Sequence, residues 1–290
     1  MKVSGFTFVK DAVKYDYPIV EAIHSILPLC DECIVAVGKS ADGTLALIQS
    51  IDSPKIKIIE TIWDETLREG GRVLAVETDK AFAAISADSD WAIYIQGDEV
   101  IHEKYHAVMR EAMLANKEEQ DIDGLLFHYL HFYGSYDYVG NSSKWYKKEI
   151  RIIKNNRNIY SYRDAQGFRK NENEKLNVKL IDAYVYHYGW VKEPKAMQRK
   201  QENFNKYWHN DAWVEEHVEK REDFDYGQIQ SLGLFTGTHP KIMQARIQQK
   251  NWKFEFDISK KIFSFKEFCK DILFRLFEID LNYKNYRLRK

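Results

Sequence analysis

The most constraining feature of the sequence is an almost unbroken apolar and aromatic run at residues 91–95, WAIYI, which stops abruptly at Gln96-Gly97-Asp98-Glu99. Short runs of this kind are typical of strands buried on both faces, as in the middle of a parallel sheet. Open α/β sheets bind ligands at the carboxyl ends of such strands. We therefore predict a ligand site at this turn, with Asp98 as a carboxylate that could hold a divalent metal.

Strands and helices alternate along the first 100 residues. Apolar runs predict strands at residues 3–9, 33–37 and 56–60, and helices are predicted to begin near residues 18, 44 and 70, the last extending to residue 87. Helices of this length can cross between parallel strands, and crossovers of one hand place all carboxyl ends on one edge of the sheet. Lys10, Gly38 and Asp42 should therefore lie along the same edge as Asp98.

The pattern changes after residue 123. Residues 124–130, 149–153, 159–162 and 183–188 are strand-like but lack regular crossover helices, and aromatic side chains crowd the segments between them. Further helices are predicted at residues 194–205, 212–220, 240–249 and 263–279, with a loop at residues 226–239. We predict an α/β fold: a mostly parallel, doubly wound, Rossmann-like sheet, a mixed-sheet, aromatic-rich extension and C-terminal helices.

Charge and composition exclude several classes of protein. The net charge of −1 gives no overall field that would attract nucleic acid, so no nucleic-acid partner is expected. Three cysteines do not make a disulfide framework, and no apolar run approaches the roughly 20 residues of a membrane span. The N-terminus shows no signal peptide, so we expect a cytoplasmic protein.

The last fifty residues differ in charge from the rest of the chain. Residues 241–290 carry 13 Lys and Arg against 6 Asp and Glu, with apolar residues at helical spacing between 263 and 277. This basic segment either packs on the domain or on a second copy in a homodimer, or lies on the anionic inner face of the cell membrane. Packing is the favoured interpretation.

In their order, these segments resemble the glycosyltransferases of the GT-A fold, family 2, of the type that serves bacterial lipopolysaccharide and polysaccharide biosynthesis. That family has a V-D-x-G-S-x-D-G-T turn after its second strand, a helix beginning with Gly, and a buried strand that ends in D-x-D. The corresponding stretches here are AVGKSADGT at residues 36–44 and QGDE at residues 96–99. The resemblance covers residues 3–100 and extends more loosely to about residue 190. Gln96 replaces the first Asp of D-x-D.

The resemblance implies an inverting transferase that moves a sugar from a nucleotide-diphosphate sugar to a hydroxyl of a saccharide or lipid-linked acceptor. A divalent metal, Mn or Mg, would neutralise the diphosphate as the glycosidic bond breaks. Asp98 is the expected metal ligand, and His187 is a second candidate because imidazole suits manganese. Gln96 can bind a ribose hydroxyl but ligates magnesium poorly, and Glu99 is a further candidate carboxylate. The alternative for this turn is a helix cap.

The resemblance also implies that different segments of the chain have different functions. Residues 1–123 would form the donor-binding half, residues 124–240 the acceptor-binding and catalytic half of the same compact domain, and residues 241–290 the basic helical segment. The expected donor-binding residues are Phe8, Lys10, Asp42, Arg72, Gln96 and Asp98. Capping of a helix by Asp42 and a solvated position for Arg72 are the structural alternatives.

An inverting transfer needs a base that deprotonates the acceptor hydroxyl. Asp164 is the first candidate because it follows a predicted strand and precedes a glycine, and Asp137 in an aromatic loop is the second. An ordinary surface turn is the alternative for both. Tyr133, Tyr188 and Trp190 are candidates for stacking on an acceptor sugar, with core packing as the alternative.

Two other functions stay open. A catalytically degenerate GT-A protein could bind a nucleotide sugar or act as a scaffold, and Gln96 and the absence of a carboxylate at Gly38 favour that reading. A nucleotidyltransferase on a similar sheet would need a glycine-rich basic loop after the first strand. Residues 9–12, VKDA, contain no glycine.

Overall fold

The computed structural model describes residues 1–259, 270 and 283–289. Its first half is a parallel sheet in the order β3-β2-β1-β4. The strands are β1 (Val3–Val9), β2 (Glu32–Gly38), β3 (Ile56–Thr61) and β4 (Trp91–Tyr94), and the helices between them are α1 (Ile19–Ile26), α2 (Thr44–Gln49) and α3 (Arg72–Ala83).

Helices cover this parallel half on both faces. Side chains alternate along each strand, so Val9 of β1 faces one core while Phe6 faces the other. The first core receives α1, α2 and α4 (His106–Ala115), and the second receives α3. Apolar residues therefore occupy both faces of every central strand, which explains the continuous apolar runs in the sequence and confirms the doubly wound prediction.

The second half extends the same sheet with mixed pairing. Beyond β4 the strand order continues β8-β6-β11-β10-β9, and among these neighbours only β6 and β11 are parallel. Short strands complete the edges: β5 and β13 pair with β11, and β7 pairs with β6 and β12. The strands are β5 (Glu99–Ile101), β6 (Gly124–Tyr133), β7 (Ser135–Gly140), β8 (Lys148–Lys154), β9 (Ile159–Tyr162), β10 (Gly167–Lys170), β11 (Glu174–Trp190), β12 (Leu232–Leu234) and β13 (Tyr286–Leu288).

The remaining helices agree only partly with the sequence-based expectations. The structure contains α5 (Pro194–Phe204), α6 (Asp211–His217) and α7 (Gln244–Gln248), and a 3-10 turn at Lys241–Met243 precedes α7. The predicted loop at 226–239 includes β12, and α3 ends four residues before the predicted residue 87. The helix predicted at residues 263–279 lies outside the described residues, apart from Lys270. In the described part of the chain, no helix is both long and apolar enough to span a membrane.

The largest difference concerns β11, which begins at Glu174, nine residues before the predicted start. Its first half alternates polar and apolar residues, so that Leu176 and Val178 are buried while Glu174 and Asp182 are exposed. The prediction was based on continuous apolar runs, whereas this half of the strand buries only one face.

Candidate active site

A cavity of about 340 Å³ opens at the carboxyl edge of β1 and β4. It lies where the sequence placed the ligand site, beside the turn at residues 96–98. Of the twelve residues predicted for the site, seven line the cavity: Phe8, Lys10, Gln96, Asp98, Asp164, His187 and Trp190.

Asp98 is an ionised carboxylate in the wall of the cavity, with its side chain 14% exposed. Its Oδ2 is 3.2 Å from the Lys200 ammonium, and its Oδ1 is 3.7 Å from Nε2 of His187. Burial alone raises the pKa of Asp98, but Lys200, His187 and Lys192 outweigh burial and lower the pKa to about 2. The carboxylate therefore keeps its negative charge at any pH near neutrality.

Two lysines supply positive charge beside this carboxylate. Lys200 projects from α5, donates to the carbonyl of Gly189 at 2.9 Å, and lies 5.1 Å from the centre of the Tyr17 ring. Lys192 is fully buried and donates to the carbonyl of Asp16. Burial, together with Lys200, lowers the pKa of Lys192 to about 7. Of these two lysines, Lys200 lines the cavity and Lys192 does not, so Lys200 is the one that a ligand would meet.

The gap between Asp98 and His187 fits a divalent cation. A methyl group on Gly189 would lie 2.6 Å from both Asp98 Oδ2 and His187 Nε2, so only glycine leaves this gap open. Carboxylate oxygen and imidazole nitrogen are donors that manganese accepts. The described residues offer no cluster of three or more His, Cys, Asp or Glu side chains for a metal. A cation here would therefore take further ligands from water or from a bound diphosphate.

Glu99 does not supply an additional carboxylate to the cavity. Its side chain is fully buried and accepts hydrogen bonds from Arg151 (2.7 and 2.8 Å), from the Tyr129 hydroxyl (2.8 Å) and from the backbone N–H of Gln96 (3.1 Å). The expectation that Glu99 compensates for Gln96 as a metal ligand is wrong, because Arg151 and Tyr129 occupy its oxygens. Glu99 instead stabilises the turn at residues 96–98 by accepting the hydrogen bond from the backbone N–H of Gln96.

Gln96 connects the two halves of the site. Its side-chain amide donates to the carbonyl of Ala165 at 3.0 Å and to the Tyr94 hydroxyl at 3.3 Å. The first bond joins the turn after β4 to the turn between β9 and β10. An aspartate at this position could not donate these bonds, since an ionised carboxylate only accepts.

Asp164 lines the cavity from the turn between β9 and β10. Its neighbours Arg163 and Ala165 adopt left-handed backbone conformations, with φ of 56° and 62°. Residues other than glycine rarely adopt this conformation, and such strain is common at functional sites. Burial raises the pKa of Asp164, while backbone N–H groups and nearby arginines partly offset the effect. A carboxylate with a raised pKa is a stronger base than an ordinary aspartate.

Two of the predicted donor-binding residues lie outside the cavity lining. Asp42 accepts hydrogen bonds from the backbone N–H groups of Thr44 (3.1 Å) and Lys14 (2.7 Å), and therefore caps the start of α2. Arg72 is exposed in the first turn of α3. Both positions match the structural alternatives that the sequence left open.

The structure also keeps three other predicted residues away from the cavity. Asp137 is exposed on β7, where it accepts a hydrogen bond from the Ser135 hydroxyl. Tyr188 is 1% exposed and its hydroxyl lies 2.8 Å from Nδ1 of His239, while Tyr133 is 5% exposed within an aromatic cluster. The two tyrosines match the core-packing alternative, and Asp137 is not positioned to reach a substrate in this cavity.

Sequence reasoning missed the aromatic wall and Lys200. The wall consists of Tyr15, Tyr17, Trp63, Tyr146, Phe204, Tyr207 and Trp208. The face that α5 turns to the cavity carries Lys200, Gln201 and Phe204, and the buried Met197 precedes them at helical spacing. A lysine within such an inward stripe is the signal that could have identified Lys200, because solvated lysines lie on the opposite face.

No protein-family model matches the sequence, and no curated protein matches it either. Among solved structures, the chain is similar to S. aureus TarS 1–349 in complex with UDP, with 13% identity and a TM-score of 0.41 over 77% of this chain and 68% of that one. It is also similar to glucosyl-3-phosphoglycerate synthase from Mycobacterium tuberculosis in complex with Mn²⁺, UDP and phosphoglyceric acid, with 20% identity and a TM-score of 0.30 over 45% of this chain and 43% of that one.

A third similar structure is 4-diphosphocytidyl-2C-methyl-D-erythritol synthase from Anaerococcus prevotii, with 11% identity and a TM-score of 0.38 over 66% of this chain and 91% of that one. The chain thus spans less than half of the mycobacterial enzyme. All three TM-scores lie below 0.5, and all three identities are 20% or lower.

Proposed function

We propose that the protein is an inverting, nucleotide-sugar-dependent glycosyltransferase. It would move a sugar from a nucleotide-diphosphate sugar to a hydroxyl of a saccharide or lipid-linked acceptor in the synthesis of a cell-surface glycan. The observation that carries the proposal is the meeting of an ionised carboxylate (Asp98), a buried ammonium (Lys200) and a carboxyl of raised pKa (Asp164) in one cavity. These groups suit the departure of a diphosphate and the activation of a hydroxyl.

The cations of the cavity suit a leaving diphosphate. Negative charge grows on the diphosphate as the glycosidic bond breaks, and a positive group in a partly desolvated site stabilises that charge. Lys200 and Lys10 both line the cavity, with side chains 8% and 17% exposed. Manganese or magnesium held by Asp98 and His187 would supply further Lewis-acid neutralisation of the diphosphate.

Asp164 is the proposed general base. The acceptor oxygen attacks the anomeric carbon while the bond from that carbon to the diphosphate oxygen breaks, and Asp164 takes the hydroxyl proton. One displacement of this kind inverts the anomeric centre. The hydrogen bond from Gln96 to the Ala165 carbonyl fixes the turn that carries Asp164 relative to the turn that carries Asp98. Correct alignment of reacting groups contributes strongly to the rate of an enzymatic reaction.

A second candidate function is a catalytically degenerate GT-A protein that binds a nucleotide sugar or acts as a scaffold. The observation that favours it is Gln96, whose amide is engaged with Ala165 and Tyr94 where the resembled family has a carboxylate. Tight binding of a nucleotide sugar without release of the nucleoside diphosphate, against a broad acceptor panel, would support this function over transfer.

The location and partners of the protein are also proposals. We propose a cytoplasmic protein that contacts the inner face of the cell membrane or a second copy of itself through the basic segment at residues 241–290. Residues 260–269, 271–282 and 290 of that segment lie outside the described residues.

The proposed function is tested with a panel of nucleoside diphosphates and their sugars in the presence of Mn²⁺ or Mg²⁺. Wild-type protein should bind at least one donor in calorimetry and release its nucleoside diphosphate. Asp98→Asn should lower that release about 100-fold or more, because it removes the charge that anchors the cation. Circular dichroism would show whether the variant remains folded.

A control is needed because Asp98→Asn leaves the buried Lys200 without its anionic partner, which can destabilise a protein. The double variant Asp98→Asn, Lys200→Met removes both charges and separates loss of function from loss of stability. Arg199→Met, at an exposed position of the same helix, should retain full activity. Wild-type turnover in Asp98→Asn would contradict the proposed site.

A further inference from the structure

Two histidines lie side by side behind the cation gap. His131 on β6 and His187 on β11 are paired in register across the parallel strands, and their Nδ1 atoms are 3.1 Å apart. The other ring nitrogen of His131, Nε2, lies 2.8 Å from the backbone carbonyl oxygen of Tyr146. These two contacts form a chain from a carbonyl, through two imidazoles, to the gap beside Asp98.

The carbonyl determines where the protons lie. A backbone carbonyl only accepts hydrogen bonds, so Nε2 of His131 must carry a proton. A neutral imidazole has one donor and one acceptor nitrogen, which leaves Nδ1 of His131 as an acceptor. Nδ1 of His187 must then donate to it. In this arrangement Nε2 of His187 carries no proton and presents its lone pair.

The surroundings of His131 favour its neutral form. The residue is 2% exposed, stacks on Trp145 with 4.9 Å between ring centres, and meets Tyr146 edge-on at 4.3 Å. A second proton would place a positive charge in this aromatic environment, close to the cations of Lys147 and Arg151. The same packing holds the imidazole in the orientation that the two hydrogen bonds require.

The unprotonated Nε2 of His187 faces Oδ1 of Asp98 at 3.7 Å. That distance is too long for a direct hydrogen bond, and a carboxylate oxygen and an imidazole lone pair that face each other are a donor pair that a divalent cation accepts. We propose that His131 is a positioning residue that fixes the tautomer of His187, so that Nε2 of His187 and the Asp98 carboxylate together receive a divalent cation. The inference rests on the metal-assisted form of the proposed function, and it assigns a role to a residue outside the cavity lining.

The tautomer is measured directly in the metal-free protein by long-range ¹H–¹⁵N correlation of the histidine rings. His187 should carry its proton on Nδ1, and His131 should carry its proton on Nε2. In His131→Phe, which keeps a ring for the stack on Trp145, His187 loses its acceptor and should shift toward the Nε2–H tautomer. An Nε2–H tautomer of His187 in the wild-type protein would overturn the inference without any variant.

Cation affinity gives a second readout. Mn²⁺ alone is titrated into the protein and followed by electron paramagnetic resonance, which distinguishes free from bound ion. His131→Phe should weaken Mn²⁺ binding about 10- to 100-fold, the usual effect of removing a group that orients a ligating histidine. His131→Asn should restore much of the affinity, because its Oδ1 can accept from Nδ1 of His187 at the position of the lost nitrogen.

The matched control is His128→Phe on the same strand. His128 is half-buried and stacks on Tyr184 at 4.7 Å, away from the cavity lining, so its removal should leave Mn²⁺ affinity unchanged. Unchanged affinity in His131→Phe, or an equal loss in His128→Phe, would overturn the inference.

The Mn²⁺ titrations also distinguish an error in the metal site from an error in the role of His131. If Asp98→Asn binds Mn²⁺ as tightly as the wild-type protein does, the metal site itself is wrong, whatever His131 does. If Asp98→Asn and His187→Phe both lose the ion while His131→Phe keeps it, the site stands and only the role of His131 is refuted. The tautomer of His187 is measured without metal, so it tests the role of His131 independently of the metal site.

Discussion

Gly189 is the residue on which the geometry of the cation gap depends most directly. It lies two positions after His187 on β11, and its carbonyl accepts the hydrogen bond of Lys200. Because glycine has no Cβ, Asp98 Oδ2 and His187 Nε2 can both lie close to the backbone at residue 189. The same residue thus holds the ammonium and leaves the gap free.

Gly189→Ala should close the gap. The added methyl group would lie 2.6 Å from both Asp98 Oδ2 and His187 Nε2. Displacing these two side chains should weaken Mn²⁺ binding about tenfold or more, and the overpacking should lower the free energy of unfolding by about 1–3 kcal/mol. Paramagnetic resonance titration measures the affinity, and thermal unfolding measures any loss of stability.

The control for this substitution is Gly233→Ala on β12. There the nearest atom to the added methyl group is Nδ2 of Asn141 at 3.4 Å, an ordinary contact. Gly233→Ala should bind Mn²⁺ like the wild-type protein. If Gly189→Ala does the same, the gap does not hold the ion.

Individual site residues could be predicted where their position depends on a single strand. Asp98 and Asp164 each follow a strand, and His187 lies near the end of one, so the edge of the sheet gathers them. Lys200 could not be placed in this way, because its contact with Asp98 depends on how α5 docks against the sheet. Asp137 follows an aromatic strand as Asp164 does, yet β7 turns it to solvent.

At the scale of elements, β8 carries a buried charge network beneath the cavity. Arg151 and Glu99 form an ion pair with fully buried side chains. Two residues earlier on β8, Glu149 accepts one hydrogen bond from Gln166 at 2.8 Å, and its Oε2 has no hydrogen-bond partner among the residues that the structure describes. Burial, opposed by Arg151, raises the pKa of Glu149 to about 8. Below that pH the side chain is mainly a neutral carboxylic acid.

Glu149→Gln should make the protein more stable in alkaline solution. The pKa of this group is raised in the folded state, so its contribution to stability is fully present below the unfolded value near 4.5 and is lost as the pH rises through about 8. Glutamine imitates the neutral acid and does not titrate. The variant should match the wild-type protein near pH 4.5 and exceed its free energy of unfolding at pH 9 by up to about 5 kcal/mol.

Urea unfolding at pH 4.5, 7 and 9 measures this difference. Glu174→Gln, at an exposed glutamate on β11, should follow the wild-type protein at all three values. A Glu149→Gln variant without added stability at pH 9 would show that Glu149 is ionised in the fold at little cost.

The sequence predicts buried strands well and short strands poorly. Strands β2 and β4 are buried throughout and covered on both faces, so the sequence shows apolar runs at CIVAV and WAIYI. Strands β5, β7, β10 and β12 have only three to six residues each, too few for a periodicity to be recognised. Their formation depends on pairing with strands distant in sequence or with each other: β5 with β11, β7 with β6, β10 with β9 and β11, and β12 with β7. No local pattern reveals this pairing.

At the scale of the whole molecule, the cavity belongs to both halves of the chain. Lys10, Trp63 and Asp98 come from before residue 123, and Asp164 and Lys200 come from after it. One sheet runs through both halves by way of the β4–β8 pairing. A ligand that fills the cavity therefore contacts both halves at once.

Ligand binding should stabilise both sides of the cavity together. Nucleoside diphosphate with Mn²⁺ at 100 times its dissociation constant should add about 2.7 kcal/mol to the free energy of unfolding. Hydrogen exchange should slow in peptides that contain residues 94–98 and also in those that contain residues 162–166, because the bond from Gln96 to Ala165 links these turns. Protection of only one peptide would show that the ligand contacts one half alone, and Asp98→Asn is the control.

The aromatic wall gives the molecule an intrinsic optical reporter. Trp63, Trp190 and Trp208 are indoles in the lining, whereas Trp91 is sealed in the core of the sheet. A purine or pyrimidine that stacks against any of the three would change its emission, and the sealed indole would serve as an internal reference. Occupancy can therefore be followed by fluorescence with unlabelled protein, before any acceptor is identified.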